Sequence, residues 1–167
     1  MSSTALKVLL DSTYLLPSFG IKVEGLRDED LVRLREAAIK GKVEFCCLTV
    51  VWVEVIGKVC REARRLRTDL EEIKEILDIA VKSLLESKFY KWVEPTPETV
   101  KLAFKLRLLG HGDVIDNLLY ATSVTNNMVF LTMDKSLKDF LLKQGYKTEN
   151  LMDHLQLLSR LDKGSPA

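Results

Sequence analysis

The stretch VLLDSTYLLP (8–17) places a single carboxylate, Asp11, between two apolar triplets. The run that ends at this acid, KVLLD (7–11), is short, apolar and partly β-branched, which is typical of a buried strand. Two later runs, VEFCCLT (43–49) and NMVFLTMD (127–134), have the same character, and each of the three precedes a helix-like stretch. Strands that alternate with helices predict an α/β fold, in which helices cover both faces of a parallel sheet.

The helices are predicted from the helical spacing of apolar residues in five segments of the chain, namely 27–42, 68–88, 96–110, 136–145 and 151–161. In segment 27–42 Gly41 is expected to stop the helix, and in segment 96–110 Pro97 lies in the first turn, where proline commonly starts a helix. In segment 68–88 one apolar stripe is expected to be buried, formed by Leu70, Ile73, Leu77, Ala80 and Leu84.

Length and composition are those of one globular domain. The chain has 167 residues, of which 47% are hydrophobic and 29% are charged, and its net charge is +1. We expect a single domain over residues 1–161, with loops at 17–25 and 92–97 and an unstructured tail at 162–167. The nearly neutral charge argues against a broad electrostatic surface for nucleic acid, so only a local basic patch is expected.

The sequence carries no membrane or secretion signal. Its longest apolar runs fall short of about 18 residues, and MSSTALK (1–7) lacks the basic-then-apolar pattern of a signal peptide. A cytoplasmic protein without a membrane partner is therefore predicted. The three cysteines, Cys46, Cys47 and Cys60, form no C-x-x-C pair and are expected to be reduced thiols, mostly in the core.

The chemistry of the chain is expected to depend on carboxylates. The only histidines, His111 and His154, are 43 positions apart, and neither has a second nitrogen ligand near it in the sequence. This spacing argues against a zinc centre and against a histidine-based nucleophile relay.

Two acids, Asp11 and Asp134, directly follow predicted strands. The carboxyl ends of parallel strands meet at one edge of a sheet, and ligands bind at that edge. An Asp at a strand-to-helix junction also has a simpler explanation, because its oxygen can accept hydrogen bonds from the first turn of the helix.

Glu54 lies in the apolar segment LTVVWVEVIGKV (48–59), which predicts a largely buried helix. A buried carboxylate must be protonated, paired or bound to a cation. The alternative to a cation is an ion pair with Lys58, one turn further along the helix.

Asp113 and Asp116 share one face of the predicted helix in GHGDVIDNLLYATSV (110–124). Asp113 can be the helix N-cap, and the helix dipole favours Asp116 in the first turn. One shared divalent cation such as Mg²⁺ would explain all the acidic positions together, because hard cations take carboxylate oxygens. Without metal, like-charge repulsion is expected to raise the pKa of at least one of these acids.

Four motifs in this order, VLLDSTYLLP, TVVWVEV, DNLLYATSV and VFLTMDKSL, resemble the acidic motifs of PIN-domain nucleases, VapC-like ribonucleases among them. The resemblance spans about residues 7–145 and implies a three-layer α/β/α sandwich with a central, mainly parallel sheet. It also implies cleavage of RNA with Mg²⁺ or Mn²⁺. The implied catalytic and metal-binding acids are Asp11, Glu54, Asp116 and Asp134, with Asp113 as a further candidate metal ligand.

The resemblance also implies polar positions near the substrate, at Ser12 and Thr132. A basic stripe is expected to bind RNA as well, because Glu54 is followed at helical spacing by Lys58, Arg61 and Arg65. The alternative is a solvated helix face with local ion pairs. Two ions, or one ion and a basic side chain, would activate water and stabilise the leaving oxygen.

The biological role stays open at the level of sequence. PIN relatives include toxins that are inhibited by a small antitoxin protein and nucleases that process ribosomal RNA, and a homodimer is also possible for this chain. A PIN-like module without catalysis, used for RNA binding or assembly, is the alternative from a different class. A receiver-like signalling domain fits poorly, because it needs paired acids after the first strand and VLLDS has one.

Overall fold

The computed structural model describes residues 4–164 of the chain. Within these residues a five-stranded sheet forms the centre of the fold, and all its strands are parallel, in the order β3-β2-β1-β4-β5. The strands are β1 (Leu6–Leu10), β2 (Val43–Leu48), β3 (Tyr90–Val93), β4 (Val129–Leu131) and β5 (Leu151–Met152). This topology confirms the predicted α/β class.

Among the described residues, helices connect each strand to the next one along the chain, and a last helix follows β5. They are α1 (Asp28–Ile39), α2 (Trp52–Leu66), α3 (Leu70–Glu86), α4 (Pro97–Leu108), α5 (Val114–Thr125), α6 (Lys135–Lys143) and α7 (His154–Asp162). Short 3₁₀ turns cover Ser12–Tyr14, Leu16–Phe19 and Thr49–Val51.

Two apolar cores lie on opposite faces of the sheet. One core joins the sheet to α1, α2, α3 and α7, and the other joins it to α4, α5 and α6. Successive residues of a strand point to opposite faces of the sheet and therefore pack in different cores. Cys46 and Cys47 are thus both buried, but on opposite faces of the sheet. The result is the three-layer α/β/α sandwich that the family resemblance implied.

Two short strands correct the expected element assignments. Residues 92–97 were predicted as a loop, but Trp92 and Val93 belong to β3, which pairs with β2 at the edge of the sheet. Leu151 and Met152 were predicted to begin a helix, but they form β5, and the helix starts only after Asp153. A strand of two residues is too short for its periodicity to be recognised in the sequence.

Helix α3 is buried along only half of its length. Leu84 is 1% exposed, whereas Leu70, on the same predicted stripe, is 73% exposed and Leu77 also reaches solvent. The expectation that the whole stripe is buried was therefore wrong. In the N-terminal half Ile73 and Ile76, rather than Leu70 and Leu77, are the side chains that pack against the core, and they are only partly buried.

The C-terminal part of the described chain is held by α7. Asp162, the last residue of this helix, pairs with Arg33 at 2.7 Å. The tail was predicted to begin at residue 162, but Asp162 belongs to α7, and residues 165–167 of that tail lie outside the described residues. From residue 4 to residue 164, no helix is both long enough and apolar enough to cross a membrane.

Candidate active site

Asp11 follows β1 and is 7% exposed. It stands before the 3₁₀ turn Ser12–Tyr14, yet its side chain makes no capping hydrogen bond. One carboxylate oxygen, Oδ2, accepts a hydrogen bond from the Thr132 hydroxyl at 3.2 Å, and Oδ1 lies 3.2 Å from Ser12 Oγ. Burial raises the pKa of Asp11, and the nearby charge of Lys58 acts in the opposite direction. Local capping therefore does not explain this acid.

Asp134 caps α6 with one oxygen. Its Oδ1 accepts hydrogen bonds from the backbone N–H groups of Ser136 (2.8 Å) and Leu137 (3.1 Å) and from the Ser136 hydroxyl. Partial burial by itself would raise the pKa of Asp134, but these hydrogen bonds hold it below its usual value. Because all three bonds end on Oδ1, capping leaves the other oxygen of this carboxylate for another partner.

Asp113 caps α5 in the same way. Its Oδ1 accepts hydrogen bonds from the backbone N–H groups of Ile115 (2.9 Å) and Asp116 (3.0 Å). The side chain is exposed, so Asp113 lies at the rim of the site while it fixes the first turn of the helix that carries Asp116.

Glu54 lies in the first turn of α2, and this helix is less buried than its apolar sequence predicted. Val55 and Val59 are buried, whereas Val53 is 68% exposed and Ile56 also faces solvent. The expectation of a largely buried helix was wrong, because only one face of α2 packs on the core. The Glu54 side chain itself is mostly buried and accepts a 2.6 Å hydrogen bond from Ser12 Oγ.

Asp116 is the most perturbed acid of the group. Burial raises its pKa to about 8, and the charges of Asp113, Asp11, Asp134 and Glu54 act in the same direction. The expected pKa increase is thus present, although burial contributes more than repulsion. At neutral pH without a cation, Asp116 holds a proton that a bound cation would displace.

The acids converge on one cavity of about 350 Å³ at the carboxyl edge of the sheet. Glu54, Asp113 and Asp116 are the tightest group, because each places a carboxylate oxygen within 4.8 Å of the others. Asp11 and Asp134 line the same cavity. Several oxygen donors around one buried acid of raised pKa fit a hard divalent cation, which takes carboxylate ligands and relieves their repulsion.

Ser12 and Thr132 are buried beneath these acids. The Thr132 hydroxyl donates to Asp11 and accepts the backbone N–H of Asp134 at 3.1 Å, so it joins the two strand-end acids. Ser12 has one hydroxyl hydrogen, and Glu54 at 2.6 Å is a closer acceptor for it than Asp11 at 3.2 Å. Both hydroxyls therefore orient carboxylates.

The three basic residues of the predicted stripe have different surroundings. Lys58 lines the cavity, where its Nζ donates to Ser12 Oγ at 2.7 Å and lies 3.5 Å from Glu54 Oε2. Arg61 is exposed one turn further along α2. Arg65 is also exposed but is held by Glu62 through a 2.6 Å ion pair.

Two further residues, Thr13 and Met133, line the cavity and were not predicted. Both lie inside motifs that were recognised, Thr13 two positions after Asp11 and Met133 directly before Asp134. Adjacency to a strand-end acid was the available signal for both of them.

The fold and the site define an all-parallel α/β domain with a carboxylate cavity at the carboxyl edge of its sheet. The family model of the PIN domain matches residues 20–140, more than half of the chain, and the chain therefore belongs to the PIN domain family. PIN domains are usually metal-dependent nucleases. The match includes Glu54, Asp113, Asp116 and Asp134, while Asp11 lies before it.

A solved structure supports the fold. The chain is similar to the crystal structure of PAE2754 from Pyrobaculum aerophilum, with a TM-score of 0.60 and 18% sequence identity. The similarity covers 97% of this chain and 99% of that chain. No curated protein matches the sequence. The predicted membership of the PIN family is thus confirmed by the family match and the fold together.

Proposed function

We propose that this chain is an endoribonuclease that cleaves RNA phosphodiester bonds at the carboxylate cavity with Mg²⁺ or Mn²⁺. The observation that carries the proposal is the convergence of five acids on one cavity, with the pKa of the buried Asp116 raised to about 8. A carboxylate cluster of this kind is costly without a cation, so its presence favours metal binding over a purely structural role.

The residues have distinct proposed tasks in this reaction. Glu54, Asp113 and Asp116 would hold the cation, with Asp11 and Asp134 as further carboxylate ligands from the same cavity. When bound, the cation lowers the pKa of water and neutralises charge on the phosphate. Ser12 and Thr132 act on the substrate through the acids that they orient.

The first test is cleavage of a labelled single-stranded RNA by the wild type and by Asp116→Asn. Cleavage in Mg²⁺ or Mn²⁺ that stops in EDTA and in the variant supports the proposal. Asp78→Asn is the matched control, because Asp78 is an exposed acid that pairs with Lys82 on α3. Metal binding without cleavage of any RNA would favour the non-catalytic RNA-binding or assembly module.

The basic stripe is proposed to bind the RNA backbone. Lys58 faces the cavity, and Arg61 continues the positive charge along the exposed face of α2. Arg65 is proposed to contribute less, because Glu62 already neutralises it. If Arg61→Ala binds RNA more weakly and with a flatter salt dependence, the result would support RNA binding by the basic stripe.

The toxin of a toxin-antitoxin pair, as in VapC-like ribonucleases, is our proposal for the biological role. It is supported by an apolar groove of about 590 Å³ between α1 and α3, lined by none of the five acids, which suits a small antitoxin protein. Its walls include Leu31, Leu34, Ile79, Phe45 and Phe89. Growth arrest on expression of the wild type but not of Asp116→Asn is the expected result. Normal growth with active nuclease would favour ribosomal RNA processing.

A homodimer is proposed through α4. Phe104 and Leu108 are exposed one turn apart on this helix, and Leu108 is 86% exposed. Exposed large apolar side chains on one helix face favour a protein contact. Light scattering is expected to give a dimer for the wild type and a monomer for Phe104→Asp, whereas a dimer in both would place the contact elsewhere.

The proposed location is the cytoplasm, and the proposed single domain, expected to end at residue 161, continues to Asp162, where α7 ends. Three free thiols, at Cys46, Cys47 and Cys60, fit a reducing compartment. Fractionation of cells expressing the full chain tests the location directly.

A further inference from the structure

Lys58 occupies an unusual position for a lysine. Most lysines of a soluble protein extend into water, but the ammonium of Lys58 lines a cavity of carboxylates and donates to Ser12 Oγ at 2.7 Å. Helix α2 directs it there, because Lys58 is one turn after Glu54 and shares its helix face. Its other N–H groups can therefore donate to oxygen atoms in the cavity.

The charges around the cavity are unequal. In the described part of the chain, five acids line it together with a single basic residue, Lys58. Two of the acids, Asp113 and Asp134, are stabilised by helix N-termini. The Lys58 ammonium lies near Glu54 and, through Ser12, near Asp11, so it offsets the charge of two acids that no helix N-terminus stabilises by capping.

Glu54 connects Lys58 to the group of three acids. Its carboxylate belongs to the set whose oxygens lie within 4.8 Å of one another, and its Oε2 is also 3.5 Å from Lys58 Nζ. In two-ion phosphodiesterase centres the two cations lie about 3.5–4 Å apart. The Lys58 ammonium lies beside Oε2 of Glu54, an oxygen that a second cation would also need as a ligand, so the two positive charges compete for the same carboxylate.

We propose, on the basis of the nuclease function proposed above, that Lys58 supplies the second positive charge of the catalytic centre. Each chain then binds one divalent cation, held by Glu54, Asp113 and Asp116. The Lys58 ammonium donates a hydrogen bond to a non-bridging oxygen of the scissile phosphate, and Ser12 fixes its position. In this arrangement Lys58 is a catalytic residue that contacts the substrate.

The decisive measurement is the stoichiometry of Mn²⁺ binding to the full chain, by calorimetric titration. The wild type is expected to bind one ion, and Lys58→Met, which has no charge, is expected to bind two. Lys58→Arg keeps the charge and should bind one. Lys82→Met is the matched control, because it removes another lysine that pairs with an acid four residues earlier, on the exposed face of α3.

RNA cleavage provides a second readout. At a Mn²⁺ concentration that saturates the wild type, Lys58→Met is expected to cleave about 100-fold more slowly, as after loss of one charge-stabilising donor. Excess Mn²⁺ should restore part of this loss, because a second ion can then enter. Lys58→Gln is a second neutral variant if the methionine variant does not fold.

Three outcomes would overturn the inference. Two ions in the wild type would show that the ammonium does not replace a cation, and the nuclease proposal would stand. One ion in both neutral variants, with wild-type affinity, would limit Lys58 to a structural ion pair. Failure of the folded wild type to bind any ion would remove the nuclease proposal together with the inference.

Discussion

Replacement of Asp116 by Asn is expected to stabilise the metal-free protein while it removes metal-dependent cleavage. At pH 7 the folded protein keeps Asp116 protonated, because its pKa is raised to about 8, whereas the unfolded chain ionises this group near pH 4. The gap of about three pH units corresponds to a folding cost of about 4 kcal/mol. Asn is neutral in both states and removes this cost, so a gain between about 1 and 4 kcal/mol is expected.

The pH dependence of this gain has a defined sign. Between about pH 4 and pH 8 the folded state binds a proton that the unfolded state has released, so the stability of the wild type falls as the pH rises. Below about pH 4 both states are protonated at this position, and the difference between the two proteins should vanish. The advantage of the variant should therefore grow from pH 4 to pH 8.

Urea unfolding in EDTA at several pH values measures this effect, with Asp78→Asn as the exposed control. Saturating Mn²⁺ should reduce the advantage of the variant by about 2.7 kcal/mol, since about 100-fold excess over the dissociation constant adds that much to a protein that binds the ion. A variant that is less stable than the wild type in EDTA at pH 7 would contradict a raised pKa of Asp116 in the folded protein. So would a difference that does not change with pH.

Three further predictions concern packing, hydroxyl positioning and RNA binding. Leu84→Ala should destabilise the protein by about 2–4 kcal/mol in urea unfolding, whereas Leu70→Ala should change it by less than about 0.5 kcal/mol, because only Leu84 is buried. Thr132→Val should lower kcat with little change in KM, since Asp11 and the backbone of Asp134 both lose a partner. A rise in KM as large as the fall in kcat would contradict a purely orienting role of Thr132. In salt-dependent RNA binding, Arg61→Ala should weaken affinity more than Arg65→Ala.

The convergence of the acids could be predicted from local sequence. Asp11 and Asp134 follow apolar runs that were recognised as strands, and parallel strands bring their carboxyl ends to the same edge. Glu54 and Asp116 lie in the first turns of helices that start from that edge. Capping and cavity lining proved compatible for Asp113 and Asp134, because each carboxylate has two oxygens and capping uses one.

The extent of burial could not be predicted in the same way. The apolar sequence around Glu54 suggested a buried helix, and the apolar stripe on α3 suggested full contact with the core. Only one face of α2 packs on the core, so Val53 is exposed, and the N-terminal half of α3 contacts the core through Ile73 and Ile76 rather than through Leu70. Periodicity states which face of a helix is apolar, but only the position of its neighbours decides how much of that face is covered.

Periodicity and strand direction, both readable from the residues, predict the parallel α/β class, the order of the acidic motifs and the edge at which they meet. The contact of Lys58 with Ser12 came only from the folded arrangement, because the helical pattern offered an RNA-binding stripe or an ion pair with Glu54, and the fold places Lys58 against both Ser12 and Glu54. A long, flexible lysine side chain is attracted to the nearest concentration of negative charge, and here that charge comes from acids that are far apart in the chain.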